Sequence, residues 1–170
     1  MNKLIGLIAV CIFMIFSLQA QKLNKKMMDT KSNKEILNGK CNLKGLKEAE
    51  FGKIFKKEYK NYLPANEVIA LLQPKMMNIS FEIILGTWCG DSKEQLPRFI
   101  RILDAVKYKT KTIPFLCVDR SFKADGFDRE KQNILKIPTF IIYRNNIEIG
   151  RIVETPLQTL EKDLLDILVK

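Results

Sequence analysis

The stretch Gly86-Thr87-Trp88-Cys89-Gly90-Asp91-Ser92-Lys93, "GTWCGDSK", decides how the rest of the chain is read. It joins two segments of different character. Before it, "NISFEIIL" from Asn78 to Leu85 is a short, mostly apolar run of the kind that forms a buried strand. After it, "DSKEQLPRFIRILDAVKY" places Leu96, Phe99, Ile100, Leu103 and Val106 on one helical face. Cys89 therefore falls where a strand meets a helix. Unpaired backbone N–H groups and the positive end of the helix dipole favour an anion at such a place. A thiolate is the form of cysteine that attacks disulfides.

Working outward, "TIPFLCVDR" (112–120) reads as a second buried strand, and "FDREKQNILKI" (127–137) as a short helix. "PTFIIYRNNIEIGRIVE" (138–154) reads as two strands joined by Asn145-Asn146, residues that tolerate positive φ in a tight hairpin turn. "PLQTLEKDLLDILVK" closes with an amphipathic helix whose first turn Pro156 suits. Upstream, "GLKEAEFGKIFKKEYKNYLP" sets Phe51, Ile54, Phe55, Glu58 and Tyr62 along one stripe of a helix ended by Pro64. "ANEVIALLQ" gives another short helix before Pro74. A βαβ unit followed by a ββα unit predicts an α/β domain, one mixed sheet with helices on both faces.

The expected organisation has four parts. Residues 1–20 read as a signal peptide, with Lys3 in a basic leader, an apolar run from Leu4 to Leu18, and Ala20 near the cleavage point. That run is shorter than the roughly 20 residues a membrane-spanning helix needs. Residues 21–42 read as a flexible basic lead-in, 43–77 as a helical extension packing on the domain, and 78–170 as the domain itself. The expected location is accordingly exported, periplasmic or cell-envelope, with membrane contact only through the signal segment if it stays uncleaved.

Composition excludes much. The 170 residues carry no histidine, so no Ser-His or Cys-His pair and no imidazole metal ligand exists. The four cysteines, at 11, 41, 89 and 117, have no C-x-x-C spacing for a zinc cluster, and no phosphate-binding glycine motif occurs. No cofactor and no metal is expected. The net charge of +10 is concentrated upstream, where residues 21–62 hold 12 lysines against five acids. A solvated basic helix face accounts for it, and no nucleic-acid partner is expected.

The element order, with a cysteine closing the first strand of the domain, resembles the thioredoxin fold. Trp88-Cys89-Gly90 stands where that family has Trp-Cys-Gly, and Pro97 stands where its active-site helix carries a proline. Ile137-Pro138-Thr139 is similar to the family's Ile-Pro-Thr, whose proline is cis and lies against the active site. The resemblance spans about residues 78–169, and the wider chain resembles exported bacterial thioredoxin-like proteins with a W-C-G-D-S site. It implies that Cys89 is the catalytic thiol, that Trp88 walls the site, and that Ile137 and Pro138 meet an extended partner chain.

Two departures matter. Ser92 occupies the place of the second cysteine, and an alcohol cannot attack a disulfide, although it can donate a hydrogen bond to a thiolate. Ile83 occupies the place where the family often has a buried acid, and Glu82 should point to the opposite face of the strand. Asp91-x-x-Glu94 and Ser92-x-x-Gln95 also read as capping boxes, so Asp91 and Ser92 can serve simply to start the helix. The charge of Asp91 would also partly oppose the helix dipole. Cys117, inside an apolar strand, reads as a buried and inert thiol. Cys41 is a candidate resolving thiol if its segment is mobile enough to reach Cys89.

The expected function is thiol–disulfide exchange through one cysteine in a C-x-x-S site. Its partners would be protein thiols or disulfides, or a small thiol donor. The alternative is a non-catalytic thioredoxin-fold module that binds a protein partner through the Pro138 groove and the N-terminal helix. A peroxide sensor is disfavoured by the missing general base.

Overall fold

The computed structural model describes residues 22–170. The expected signal segment and Cys11 lie outside the described residues.

The sheet at the centre grows from the two apolar runs that flank the cysteine. β4 (Ile79–Leu85) pairs parallel with β5 (Phe115–Cys117) on one side and antiparallel with β6 (Thr139–Arg144) on the other. β7 (Ile147–Val153) follows β6 through a hairpin whose Asn145 and Asn146 have φ of 51° and 64°, as the sequence predicts. The strand order is β3-β5-β4-β6-β7. Its outer member β3 (Gly39–Cys41) comes from the segment expected to be a flexible lead-in. That segment, 21–42, also forms a separate two-stranded hairpin, β1 (Lys26–Met28) with β2 (Glu35–Leu37).

The lead-in expectation is therefore corrected. Apolar alternation is too sparse here to announce strands of three residues. What orders them is tertiary: Leu37 and Cys41 enter the core, and polar contacts tie the segment down. Leu37 N–H donates to Thr87 Oγ1 at 3.0 Å, and Asn38 Nδ2 donates to the Lys123 carbonyl at 2.7 Å. Asn42 caps the following short helix α1 (Leu43–Leu46) by accepting from Gly45 N–H at 2.9 Å.

β4 alternates faces, and each face has its own core. Phe81, Ile83 and Leu85 join Phe140, Ile142 and the helices in the larger cluster. To this cluster α2 (Ala49–Asn61) contributes Phe51 and Phe55, and α3 (Asn66–Leu72) contributes Val68 and Leu72. α4 (Gly90–Ala105) and α5 (Leu160–Leu168) complete it. α2 and α3 thus share one core with α4, α5 and the sheet. Tyr62 and the Ala65 N–H both donate to the buried carboxylate of Glu161 on α5. Arg98 on α4 pairs with Glu58 on α2 at 2.9 Å.

The smaller cluster on the opposite face holds Ile84, Val118, Ile134, Ile137 and Ile141, with Trp88, Cys89, Phe122 and Phe127 against it. Among the described residues no helix contributes to this cluster. The short helix expected over 127–137 is replaced by hydrogen-bonded turns, with Asp128 Oδ1 accepting from Lys131 N–H at 3.0 Å and Asn133 at φ 50°. A side chain that captures a backbone donor and a residue in the left-handed region both stop helix propagation. Two helix starts also shift. The upstream helix breaks after Leu46 and resumes at Ala49, and Gly52, lacking a Cβ, leaves room for the Lys47 carbonyl at that break. α5 begins at Leu160 with Thr159 as cap, leaving Pro156 outside its first turn.

Candidate active site

Cys89 is the N-cap of α4, with its N–H donating to the Gly86 carbonyl at 2.9 Å and its carbonyl accepting from Lys93 N–H at 3.2 Å. Those bonds close the turn from β4 into the helix and leave the half-buried sulfur at the helix mouth. Sγ lies 3.6 Å from the Ile137 carbonyl, to which it donates. The Ile137–Pro138 peptide is cis. Trp88 stands on the other side, its Nε1–H donating to the Val118 carbonyl at 2.9 Å. Gly90 is exposed and nothing lies within 4 Å of where its Cβ would be, so approach past it is open. Trp88, Cys89, Gly90, Ile137 and Pro138 thus meet at one place, as expected.

Asp91 and Ser92 behave differently from the capping-box expectation. The helix starts at Gly90, two residues earlier than the Asp91 box requires and three earlier than the Ser92 box, with Cys89 as cap and no side-chain cap hydrogen bond. Ser92 is fully buried, and its Oγ accepts from Gly86 N–H at 3.3 Å. It braces the strand–helix turn. Asp91 sits in the first turn, where a negative charge suits the dipole. Its charge is also answered across the groove. Lys136 is held above the usual lysine range chiefly by Glu154, 2.6 Å away, and to a lesser degree by Asp91.

Sequence reasoning missed two residues of the site. Arg120, at the end of the segment after β5, places its guanidinium 4.6 Å from the Trp88 ring centroid. Its Nε and Nη2 bind the Asp29 carboxylate at 2.8–3.0 Å. Asp29 opens the turn between β1 and β2, where Ser32 N–H and Oγ also donate to it. The Arg120 hydrogen bonds, then those from Ser32, hold the Asp29 carboxyl well below the usual carboxylate range. Asp29 in turn holds Arg120 charged, with a smaller attraction from Cys89. The partners are 91 residues apart, so no local pattern could announce them.

Because the folded Asp29 carboxyl titrates below its unfolded value, its stabilisation is complete above about pH 4 and is lost as pH falls through that range. Asp29→Asn is therefore expected to lower the thermal midpoint at pH 7 and to flatten its fall below about pH 4, read by melting curves from pH 7 down to about pH 2. With the cation moved from Trp88, Arg120→Gln is expected to slow alkylation of Cys89 about three- to tenfold. Unchanged rates would show the clamp to be structural only.

The structure does not bring Cys41 to Cys89. Cys41 is buried in the helix-side cluster, whereas Cys89 packs against the cluster on the other face of the sheet. Cys41 is held in β3, paired opposite Phe115 of β5. Ile83 is fully buried, and Glu82 accepts a hydrogen bond from Tyr143 at 3.1 Å. Burial, then Glu82, pushes that phenol up to about 12. Beside Trp88 a cavity of about 390 Å³ opens between the β1–β2 hairpin and the first turn of α4, with Lys26, Lys34, Phe51, Lys93 and Arg120 in its lining.

A thiol at the mouth of the helix that follows the central strand, beside a cis X–Pro peptide at the same end of the neighbouring strand of a mixed sheet, defines a thioredoxin-fold protein. A thioredoxin family model matches residues 48–164. The chain belongs to the thioredoxin family. That match begins at the start of α2, so it takes in helices that the sequence reading had placed outside the family's domain. No curated protein matches the chain. Among solved structures it is similar to a protein of unknown function from Pseudomonas aeruginosa, at 15% identity over 75% of this chain and 89% of that one, TM-score 0.49. It is also similar to thioredoxin from Trypanosoma brucei brucei, at 21% identity over 66% and 95%, TM-score 0.37. Spinach chloroplast thioredoxin f gives 18% identity over 64% and 94%, TM-score 0.37.

Proposed function

We propose that this thioredoxin-family protein carries out thiol–disulfide exchange through Cys89 alone, in a C-x-x-S site, as an exported protein of the cell envelope. The observation that carries the reading is the sulfur itself. It is half-buried at a helix N-terminus, with Trp88 beside it and the Ile137 carbonyl at 3.6 Å. The Cys89 thiolate attacks a partner disulfide, forms a mixed disulfide and releases one partner thiolate. Ser92 cannot release the bound partner, because an alkoxide is not available at neutral pH and oxygen does not exchange with sulfur. An external thiol therefore attacks the mixed disulfide, regenerates Cys89 and leaves as a disulfide with the partner. Such a cycle suits isomerisation and thiol transfer, in which one attacking sulfur suffices, better than net dithiol reduction. The export part of the proposal rests on the leader-like residues 1–20.

The test is refolding of a scrambled disulfide substrate in a monothiol buffer. The protein is expected to speed recovery of native pairing, and Cys89→Ser to abolish that gain, while Ser92→Ala retains it. Equal rates with the protein and with Cys89→Ser would refute exchange chemistry. The binding-module alternative draws support from the cavity beside Trp88, which offers apolar walls and a mixed rim of lysines and glutamates, Lys26–Glu35 and Lys34–Glu50 being paired, without involving the sulfur. It predicts partner affinity that Cys89→Ser leaves intact.

A further inference from the structure

β3 and β5 bring two further thiols together. In their antiparallel register Cys41 faces Phe115 and Gly39 faces Cys117. Cys41 and Cys117 are thus diagonal neighbours whose side chains emerge on the same face of the sheet. Both belong to the helix-side core, Cys117 with no exposure and Cys41 with 5%. Cys41 Sγ donates to the Gly39 carbonyl at 3.3 Å. Burial, then the Cys41 neighbour, pushes the Cys117 thiol up.

We propose that Cys41 and Cys117 are a disulfide-forming pair that fastens the edge strand β3 to the central sheet, separately from any exchange at Cys89. The oxidant is a disulfide, R–S–S–R. One cysteine thiolate attacks it and releases R–S⁻; the second thiolate attacks the resulting mixed disulfide and releases the other R–S⁻. The two cysteines together give up two electrons and two protons, and two R–SH carry them away. Both thiols are buried in the closed sheet, so the exchange takes place before β3 docks or when that edge opens. β3 has only three residues, with β5 as its strand partner among the described residues, and begins with Gly39 at φ 89°. The adjustment that draws the sulfurs into a bond therefore falls on the edge and leaves β5 in register with β4.

The link would matter to the site. β3 continues back through Asn38 and Leu37 to the hairpin that carries Asp29, and so to the contacts with Lys123, Thr87 and Arg120. A covalent tie at Cys41 keeps that hairpin against the loop before Cys89.

The experiment refolds the full chain in a glutathione redox buffer, blocks free thiols after unfolding, and maps the cysteine peptides by mass. The expected result is a Cys41–Cys117 peptide pair, with neither residue linked to Cys89. The oxidised chain should melt about 10 °C above the reduced one. Cys41→Val should remove that redox-dependent difference and keep the fold. The same map on Cys89→Ser should still show the pair, which separates this proposal from the Cys89 chemistry. Recovery of Cys41 and Cys117 as free thiols, or of either one linked to another cysteine, would overturn it.

Discussion

Gly86→Ala is expected to slow exchange at Cys89 on the order of tenfold to a hundredfold without touching the sulfur. A Cβ at Gly86 would lie 2.8 Å from Cε2 and Nε1 of Trp88 and 2.9 Å from Cδ1 of Ile137, closer than such atoms approach. Those two side chains are the opposite walls of the thiol, so relief of either clash moves a wall. The Gly86 backbone leaves little room to yield. Its carbonyl accepts from Cys89 N–H and its N–H donates to Ser92. A displacement of a few tenths of an ångström to an ångström at a reacting group costs rates of this order. Overpacking should also lower stability by about 1–3 kcal/mol. The check is the rate of Cys89 alkylation and of disulfide exchange at a temperature where the variant is folded. A wild-type rate in a folded variant would mean that the Trp88 and Ile137 positions do not govern the thiol.

Phe99→Ala is expected to destabilise the protein by about 3–5 kcal/mol. Phe99 is fully buried on α4 and holds that helix to the sheet through two rings. Phe81 on β4 meets it edge-on, with centroids 5.5 Å apart and planes at 83°, and Phe140 on β6 packs at 4.4 Å and 38°. Removing the ring opens a void that the flanking strands cannot close, because both are paired on each side in the middle of the sheet. For a chain of this size the loss corresponds to a fall in thermal midpoint of about 10 °C. The end of α4 that bears Cys89 depends on the same packing. A denaturant titration reads the effect as a lower midpoint with an unchanged slope.

Both predictions rest on the part of the molecule that was legible in the sequence. Periodicity placed β4 and α4, and the stripe that the spacing gives, Leu96, Phe99, Ile100 and Leu103 on α4 with Val106 at its cap, is buried, together with Ile102 outside the stripe. The Asn145-Asn146 turn was legible because positive φ restricts residue choice. Trp88, Cys89, Ile137 and Pro138 could be brought together from residues 49 positions apart only through family resemblance, since local patterning carries no such information.

The unforeseen parts share a physical cause. β1, β2 and β3 lie in a Lys- and Asn-rich segment whose order comes from contacts with Thr87, Arg120 and Lys123. The Asp29–Arg120 clamp and the Cys41–Cys117 neighbourhood exist only once that segment docks. The segment over 127–137 has a helix-compatible composition, but Asp128 and Asn133 favour turns, and Arg129 and Arg151 bind the carbonyls that a helix would have used. Ser92 illustrates a subtler limit. Its spacing matches a capping box, yet its burial gives its hydroxyl to Gly86.

The central claim is that Cys89 forms a mixed disulfide that the protein cannot resolve by itself. Intact-mass spectrometry of the reduced full chain, mixed with a small aromatic disulfide and followed over time, tests it most directly. The account predicts one adduct on Cys89, persistent until a thiol is added and then removed with recovery of the starting mass. Cys89→Ser should give no such adduct. Absence of the adduct from the folded wild-type chain, or its release without added thiol, would contradict the account.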